Sequence, residues 1–386
     1  MSVAALVALA ALPWLLVPAA LLWPLRHGKS LDDYPARPPR DAPLVSVIVP
    51  ARDEARNIEA CVRSILRSTW PRFEVIVVND HSTDGTGDIA RRIAHEDPRV
   101  RAMDAPELPR GWFGKQWACH TGARAARGAA FVFTDADTRH SAELLARSVN
   151  AMKERGADLF SVGGLQALDT FWELLLQPHV LAMIVARFRS PERMSRSTNP
   201  YHKLANGQFI LVRRETYVAT GGHEAVRSHV AEDLQMAQQW TRAGLSVQVV
   251  PGVDYMTTRM YHGFREIALG WGKNIYAAGR TTLPLGKMGR TVLRATFPAP
   301  ALWEIMPAAL GVASLFGAVS PAVGAWGAIS YVFTTTYWLV MHHVMRVPLR
   351  YAFLHPLAAL AMFGIFARAA WKGDRVEWKG RVYTSA

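Results

Sequence analysis

The chain has 386 residues, with 44 lysines and arginines against 31 aspartates and glutamates, a formal net charge of +13. Hydrophobic residues make up 50% and charged residues 19%, and there are only 2 cysteines, which excludes a disordered chain and a disulfide-stapled scaffold. The length suits two or three domains, and the apolar residues gather at the two ends of the chain.

Residues 3–25 carry no charged side chain, and at ~1.5 Å per residue such a run can cross a hydrocarbon core of ~30 Å. Pro13, Pro18 and Pro24 interrupt it in a way that membrane helices tolerate. Met1 and Ser2 provide no basic n-region of the kind a cleaved signal peptide needs. The basic residues Arg26, Lys29, Arg37 and Arg40 come afterwards. Residues 1–26 are therefore expected to form an uncleaved anchor, with the chain cytoplasmic from residue 26 onward. A proline-rich linker at 32–43 leads into a globular domain expected over 42–285. The β-branched run 44–49 predicts a strand covered on both faces. Then follow a helix over 57–66, a strand over 73–78, a helix over 86–95, a short strand over 101–103, a helix over 115–126 and a strand over 130–133. This alternation predicts right-handed βαβ units and a mostly parallel α/β sheet.

In an open α/β sheet, ligands bind beyond the carboxyl ends of the strands. Those positions hold Pro50-Ala51-Arg52-Asp53-Glu54, then Asn79-Asp80-His81-Ser82-Thr83-Asp84-Gly85-Thr86, then Thr134-Asp135-Ala136-Asp137-Thr138. Ser82, Asp84 and Gly85 also suit an ordinary turn and helix cap. Asp135 and Asp137, two apart at a strand end, fit a hard divalent cation that keeps coordination positions open for phosphate oxygens. Further on, a strand is expected within 207–213, then a turn at Gly221-Gly222-His223. Glu232 and Asp233 open a helical run. Two readings of this acidic pair stand side by side: complement to a helix dipole, or a general base for an acceptor hydroxyl. Gly111-Trp112-Phe113-Gly114-Lys115 misses the spacing of a Walker phosphate loop. It reads either as a donor-side loop in which Lys115 meets phosphate, or as an aromatic turn into a helix.

Residues 170–188 are apolar but broken by Glu173, Gln177, Pro178 and His179, and are expected to form an interfacial helix or a buried one. The runs 301–319, 322–345 and 351–371 predict membrane hairpins within a region 298–371, followed by a basic tail at 372–386. Three full crossings would export that tail, so one run is expected to be re-entrant or interfacial. No nucleic-acid motif accompanies the positive charge, and anionic lipid headgroups account for it instead. Cys61 and Cys119 are expected to be inert, reduced thiols.

Taken in order, Pro50-Ala51-Arg52-Asp53-Glu54, Asn79-Asp80-x-Ser82-x-Asp84-Gly85-Thr86, Asp135-x-Asp137 and Glu232-Asp233 resemble the family 2 glycosyltransferases over about residues 44–280. Gly111-Trp112-Phe113-Gly114-Lys115-Gln116-Trp117-Ala118, Phe171-Trp172-Glu173, Gly221-Gly222-His223 and Trp378-Lys379-Gly380-Arg381-Val382-Tyr383 are similar to the membrane-bound branch that modifies hopanoids and carotenoids. The resemblance implies a GT-A fold, Rossmann-like with a mostly parallel sheet, flanked by transmembrane helices. It implies inverting transfer of a sugar from a nucleotide sugar, UDP-linked, to a hydroxyl or carboxyl of a membrane lipid, at the cell membrane and with Mg²⁺ or Mn²⁺. By the same resemblance Pro50, Arg52 and Glu54 line the nucleotide pocket, Asp80 meets uracil, Lys115 and Asp135 sit on the donor and Asp137 ligates the metal. Asp233 is the base, with Glu232 beside it. The Gln-x-x-Arg-Trp motif of polysaccharide synthases is missing, which weighs against a processive synthase. Trp271 and Lys273, in Gly270-Trp271-Gly272-Lys273-Asn274, lie in its region and would face acceptor and diphosphate. A non-catalytic nucleotide-sugar-binding scaffold is the remaining alternative, disfavoured because both Asp137 and Asp233 are present.

Overall fold

The computed structural model describes residues 2–23, 28–282, 291–292, 296, 298–372, 375–378 and 381–384. The chain divides into two compact units. One comprises Met1–His27, Leu168–Ser190 and Tyr261–Gly373, and the other Gly28–Ala167, Pro191–Met260 and Asp374–Ala386. The division is not consecutive in sequence. Residues 168–190 and 261–282, expected within the globular domain, group with the N-terminal helix.

The unit built on Gly28–Ala167 and Pro191–Met260 contains ten strands before residue 260. They are β1 (Val45–Ala51), β2 (Phe73–Asn79), β3 (Val100–Asp104), β4 (Ala130–Thr134), β5 (Thr138–His140), β6 (Leu159–Gly163), β7 (Leu165–Gln166), β8 (Phe209–Arg213), β9 (Val247–Pro251) and β10 (Met256–Thr258). Seven form one sheet in the order β3-β2-β1-β4-β8-β6-β9, and β5-β10-β7 form a small second sheet. In the large sheet only β8 is reversed, antiparallel to both β4 and β6, while the other neighbours run parallel. Thr134 at the end of β4 lies opposite Phe209 at the start of β8. The loop entering β8 therefore reaches the same rim as the loops that leave the parallel strands.

Burial explains the unbroken apolar runs. Along β1, Val45, Val47 and Val49 join a core on one face with Ile58, Val62 and Ile65, while Ile48 joins a core on the other face with Ala118, Phe133 and Trp240. A strand covered on both faces has no polar alternation. The Gly114–Ala125 helix lies so close to β1 that a Cβ on Gly122 would stand 2.5 Å from Ile48 Cγ2.

In the other unit, the Val3–Leu22 helix packs along the Pro321–Val344 helix. Trp14 stacks on Trp303 with centroids 4.0 Å apart and meets Trp326 edge-on at 4.9 Å. Its indole N–H donates to the Trp303 carbonyl at 2.8 Å. Among the described residues, three helices are long and apolar enough to cross a membrane: Val3–Leu22, Phe171–Arg196 and Leu349–Trp371. The run expected at 301–319 folds as a 14-residue helix, Leu302–Leu315, or about 21 Å at 1.5 Å per residue, short of a ~30 Å core. The Pro321–Val344 helix has the length, 24 residues.

The Phe171–Phe188 helix runs unbroken through Pro178, half-buried in this unit. The polar residues that seemed to interrupt it are all engaged. Glu173 accepts from the Asp169 N–H at 3.0 Å and the Thr170 hydroxyl at 2.6 Å. Gln177 Oε1 accepts the Trp271 indole N–H at 2.6 Å. His179 Nε2 lies 3.3 Å from Glu304 Oε2, which also stands 3.3 Å from His355 Nδ1 and accepts the Trp338 indole N–H at 2.9 Å. One carboxylate thus ties four helices together. Such a group holds its partners by charge in surroundings that offer no water, so removing it leaves buried donors unpaired. Glu304→Gln is expected to lower the stability of the detergent-solubilised protein by about 3 kcal/mol, seen as a clear fall in Tm; an unchanged Tm would show that Glu304 does not hold these helices.

Candidate functional site

The loops leaving β1 and β2 are laced together. The Thr83 N–H and hydroxyl donate to Asp53 Oδ1 at 2.8 and 3.3 Å, and the Asp53 N–H donates to Ser82 Oγ at 3.0 Å. The Glu54 N–H donates to Thr86 Oγ1 at 2.8 Å, and the Ala55 N–H to Asp84 Oδ2 at 2.9 Å. Asp53 and His81 both take left-handed backbone, φ 50° and 54°, conformations that a non-glycine residue holds only where its surroundings impose them. Ser82 and Asp84 thus do the turn work expected of them. On the floor of these loops Asp80 is 2% exposed. Arg52 Nη1 donates to the Asp80 carbonyl at 2.7 Å, with its carboxylate 3.9 Å away, and His81 Nδ1 stands 3.3 Å from Asp80 Oδ1. Pro50 is the penultimate residue of β1.

The second half of the rim is built around one ammonium group. Lys115, in the first turn of the Gly114–Ala125 helix, lies 2.8 Å from Asp135 Oδ1 and 2.9 Å from Glu232 Oε1. The two carboxylates raise its pKa well above the usual lysine range against the opposing pull of burial. Glu232, in the first turn of the Glu232–Arg242 helix, is held below the carboxylate range by that same ammonium despite burial. Asp233 Oδ2 accepts the Gly207 N–H at 2.9 Å, and its Oδ1 accepts the Leu234 N–H at 2.7 Å. Burial first, and the Glu232 charge second, push Asp233 up to about 6. A carboxylate in that range is a competent base near neutral pH. The acidic pair stands at a helix N-terminus, where the dipole reading puts it, and it also faces the rim.

Asp137 differs from its neighbours. Its Oδ1 is buried without a hydrogen-bond partner. Burial, then the Asp135 and Glu54 charges, push it up to about 8. An orphaned buried carboxylate oxygen amid other carboxylates is what a divalent cation would satisfy. Among the described residues no cluster of three histidine, cysteine or acidic side chains is arranged as a complete metal cage, so a cation here would take its remaining ligands from bound phosphate and water.

A buried polar knot fixes the Asp135–Asp137 turn. The Thr138 hydroxyl donates to the Asp135 carbonyl at 2.8 Å, and the Thr134 hydroxyl to the Gln208 carbonyl at 2.7 Å. With both hydroxyl protons so placed, His140 Nε2, 3.0 and 3.1 Å from the two oxygens, must be the donor. Burial pushes His140 down to about 3, so it stays neutral. The knot ties the metal-side turn to the loop that carries Gly207.

The structure therefore brings together Glu54, Lys115, Asp135, Asp137, Glu232 and Asp233, and places Arg52 on Asp80. Trp271 belongs to the other unit, where it is 8% exposed with its indole N–H on Gln177. The side chain of Lys273 lies outside the described residues. Trp112, Trp117 and His120 pack on one another, with ring centroids 5.1 to 5.7 Å apart. Sequence reasoning missed Gly207 as a site residue, along with Phe113 and Gln116, whose N–H groups hold the 227–229 loop at Arg227 O (2.9 Å) and His229 O (2.6 Å). Their only signal was a glycine just before a strand and a helix start rich in bulky residues.

Residues 46–218 match the family model described as Glycosyl transferase family 2. Relatives include 4,4'-diaponeurosporenoate glycosyltransferases of Staphylococcus aureus. That of strain MRSA252 is 28% identical over 350 residues, covering 88% of each chain, and that of strain USA300 is 27% identical over 363 residues with the same coverage. In fold, the chain is similar to a mannosyltransferase, PcManGT, from Pyrobaculum calidifontis, solved in complex with GDP-Man and Mn²⁺. The TM-score is 0.54 at 21% identity, over 92% of this chain and 96% of that one. Because the Lys115 charge favours ionised Asp233, Lys115→Met is expected to move the Asp233 carboxyl titration upward from about 6, as read by NMR of ¹³C-labelled aspartate. A midpoint that stays or falls would show that the ammonium does not act on Asp233.

Proposed function

Because this chain carries a family 2 glycosyltransferase domain, we propose that it moves a sugar from a nucleoside diphosphate sugar, UDP-linked, to a hydroxyl or carboxyl of a membrane lipid, with inversion at the anomeric carbon. The observation that carries this reading is the pairing of Asp233, a raised carboxylate gripped by two backbone N–H groups, with a Lys115–Asp135–Asp137 side fit for a diphosphate. Arg52, Glu54 and Pro50 line the nucleotide side, and Asp80 meets the base. The acceptor oxygen attacks the anomeric carbon as the bond to the diphosphate oxygen breaks. When the acceptor is a hydroxyl, its proton passes to Asp233. Lys115 faces the charge that develops on the departing diphosphate. A divalent cation held by Asp137, Mg²⁺ or Mn²⁺, would supply further positive charge to that leaving group.

The lipid acceptor and the cell-membrane location rest on the apolar unit. Leu6, Leu9, Leu16, Met306, Leu315, Phe316, Val332 and Leu360 are exposed on its helices, a surface too apolar for water alone. The basic residues that follow the first helix support a cytoplasmic catalytic domain. The relatives named for a carotenoid acid make a polyisoprenoid acceptor the first to test.

The test is to incubate the detergent-solubilised protein with labelled nucleotide sugars, bacterial lipid extract and Mg²⁺ or Mn²⁺. Labelled lipid is expected, and Asp233→Asn and Asp137→Ala should each reduce its formation by about 10²- to 10⁴-fold. Full activity in either variant would remove that residue from the mechanism, and a wild type that neither labels lipid nor hydrolyses donor would sink the transferase reading. For a hydroxyl acceptor, the rate should fall as pH drops through about 6, where Asp233 takes up its proton, and Asp233→Asn should lack that limb. A carboxyl acceptor arrives already deprotonated and should show no such limb, which separates the two acceptor classes.

A further inference from the structure

We infer that Gly207 is a positioning residue for Asp233, and that it acts through its backbone N–H and its lack of a side chain. The inference rests on the proposed role of Asp233 as base. The Gly207 N–H donates to Asp233 Oδ2 at 2.9 Å. A Cβ at this position would stand 2.9 Å from the same oxygen and 3.3 Å from Lys115 Nζ. Only a residue without a side chain lets this peptide approach the carboxylate and still leave the ammonium in place between Asp135 and Glu232. Gly207 does not lie in the left-handed region, so the demand for glycine comes from the approach and not from backbone strain.

The peptide is held from behind. The Asn206 N–H donates to Ser161 Oγ at 2.8 Å, and Asn206 Nδ2 donates to the Val162 carbonyl at 2.9 Å, both on β6. On its other side, the Gln208 carbonyl accepts the Thr134 hydroxyl. Gly207 is thus fixed to β6 through Asn206 and to the end of β4 through Gln208, and it passes that position to Asp233. With Oδ1 on the Leu234 N–H and Oδ2 on the Gly207 N–H, the carboxylate has one orientation and keeps a lone pair on each oxygen. A base aimed in this way is one whose displacement by an ångström is felt in the rate.

Gly207→Ala is the direct test, and Asn206→Ala, which adds no atom near Asp233, is its companion. In Gly207→Ala, kcat for lipid glycosylation is expected to fall on the order of 100-fold with the donor KM unchanged, because the donor side is not displaced. The ¹³C signal of the Asp233 carboxyl should shift, and its titration midpoint should move. Asn206→Ala should change the same signal in the same direction by less, with a smaller loss of kcat. Wild-type kcat in Gly207→Ala, or a rise in donor KM that accounts for the whole loss, would overturn the inference. So would an Asp233 signal unmoved in both variants, whatever the activity. If the signal moves while the wild type transfers no sugar, the proposed function falls and the positioning role stands.

Discussion

The acidic rim depends on one ammonium. Glu54, Asp135, Asp137, Glu232 and Asp233 converge on one end of a sheet, and their mutual repulsion in a half-buried setting would be severe without a cation among them. Lys115 meets two of these carboxylates directly and lowers the pKa of the other aspartates through space. Its neighbours still differ: Glu232 is held below its usual value, Asp135 at a similar distance is raised by burial, Asp233 is raised to about 6 and Asp137 to about 8, burial being the first cause in each raised group. Groups of one chemical kind are thereby sorted into different protonation states, which is what the proposed division into a base and a cation ligand would require.

That convergence is a product of topology. Six strands of the large sheet deliver their exits to the rim, and the reversed β8 delivers an entrance. Gly207 therefore faces Asp135 across two adjacent strands although 72 positions separate them. Thr134, Thr138 and His140 bind the two loops into one piece. In the apolar unit Glu304 does comparable work with different means, gathering His179, Trp338 and His355 from three other helices around one carboxylate.

The alternation of strands and helices in the first half of the chain is plain in the sequence, because a strand buried on both faces needs a continuous β-branched run such as 44–49. The carboxylates of the rim are legible for a related reason: turn residues after a strand are few, and acids recurring there are visible. What stays hidden acts through the backbone or over long range. Gly207 contributes an N–H and an absence of atoms, and neither has a sequence pattern. Gln177 and His179, which seemed to break 170–188, face Trp271 and Glu304 far along the chain, so a local reading takes buried, engaged groups for interruptions.

The interlaced loops after β1 and β2 bear on how the nucleotide side would work. Both are held by side-chain-to-backbone bonds in conformations that free peptides avoid. That half of the cleft behaves as a mould, cast before anything is poured into it. A mould gives up little disorder when filled, so a fitting nucleobase is held with small loss. It also does not adapt. If the nucleotide does bind here, selection at this end would be by shape.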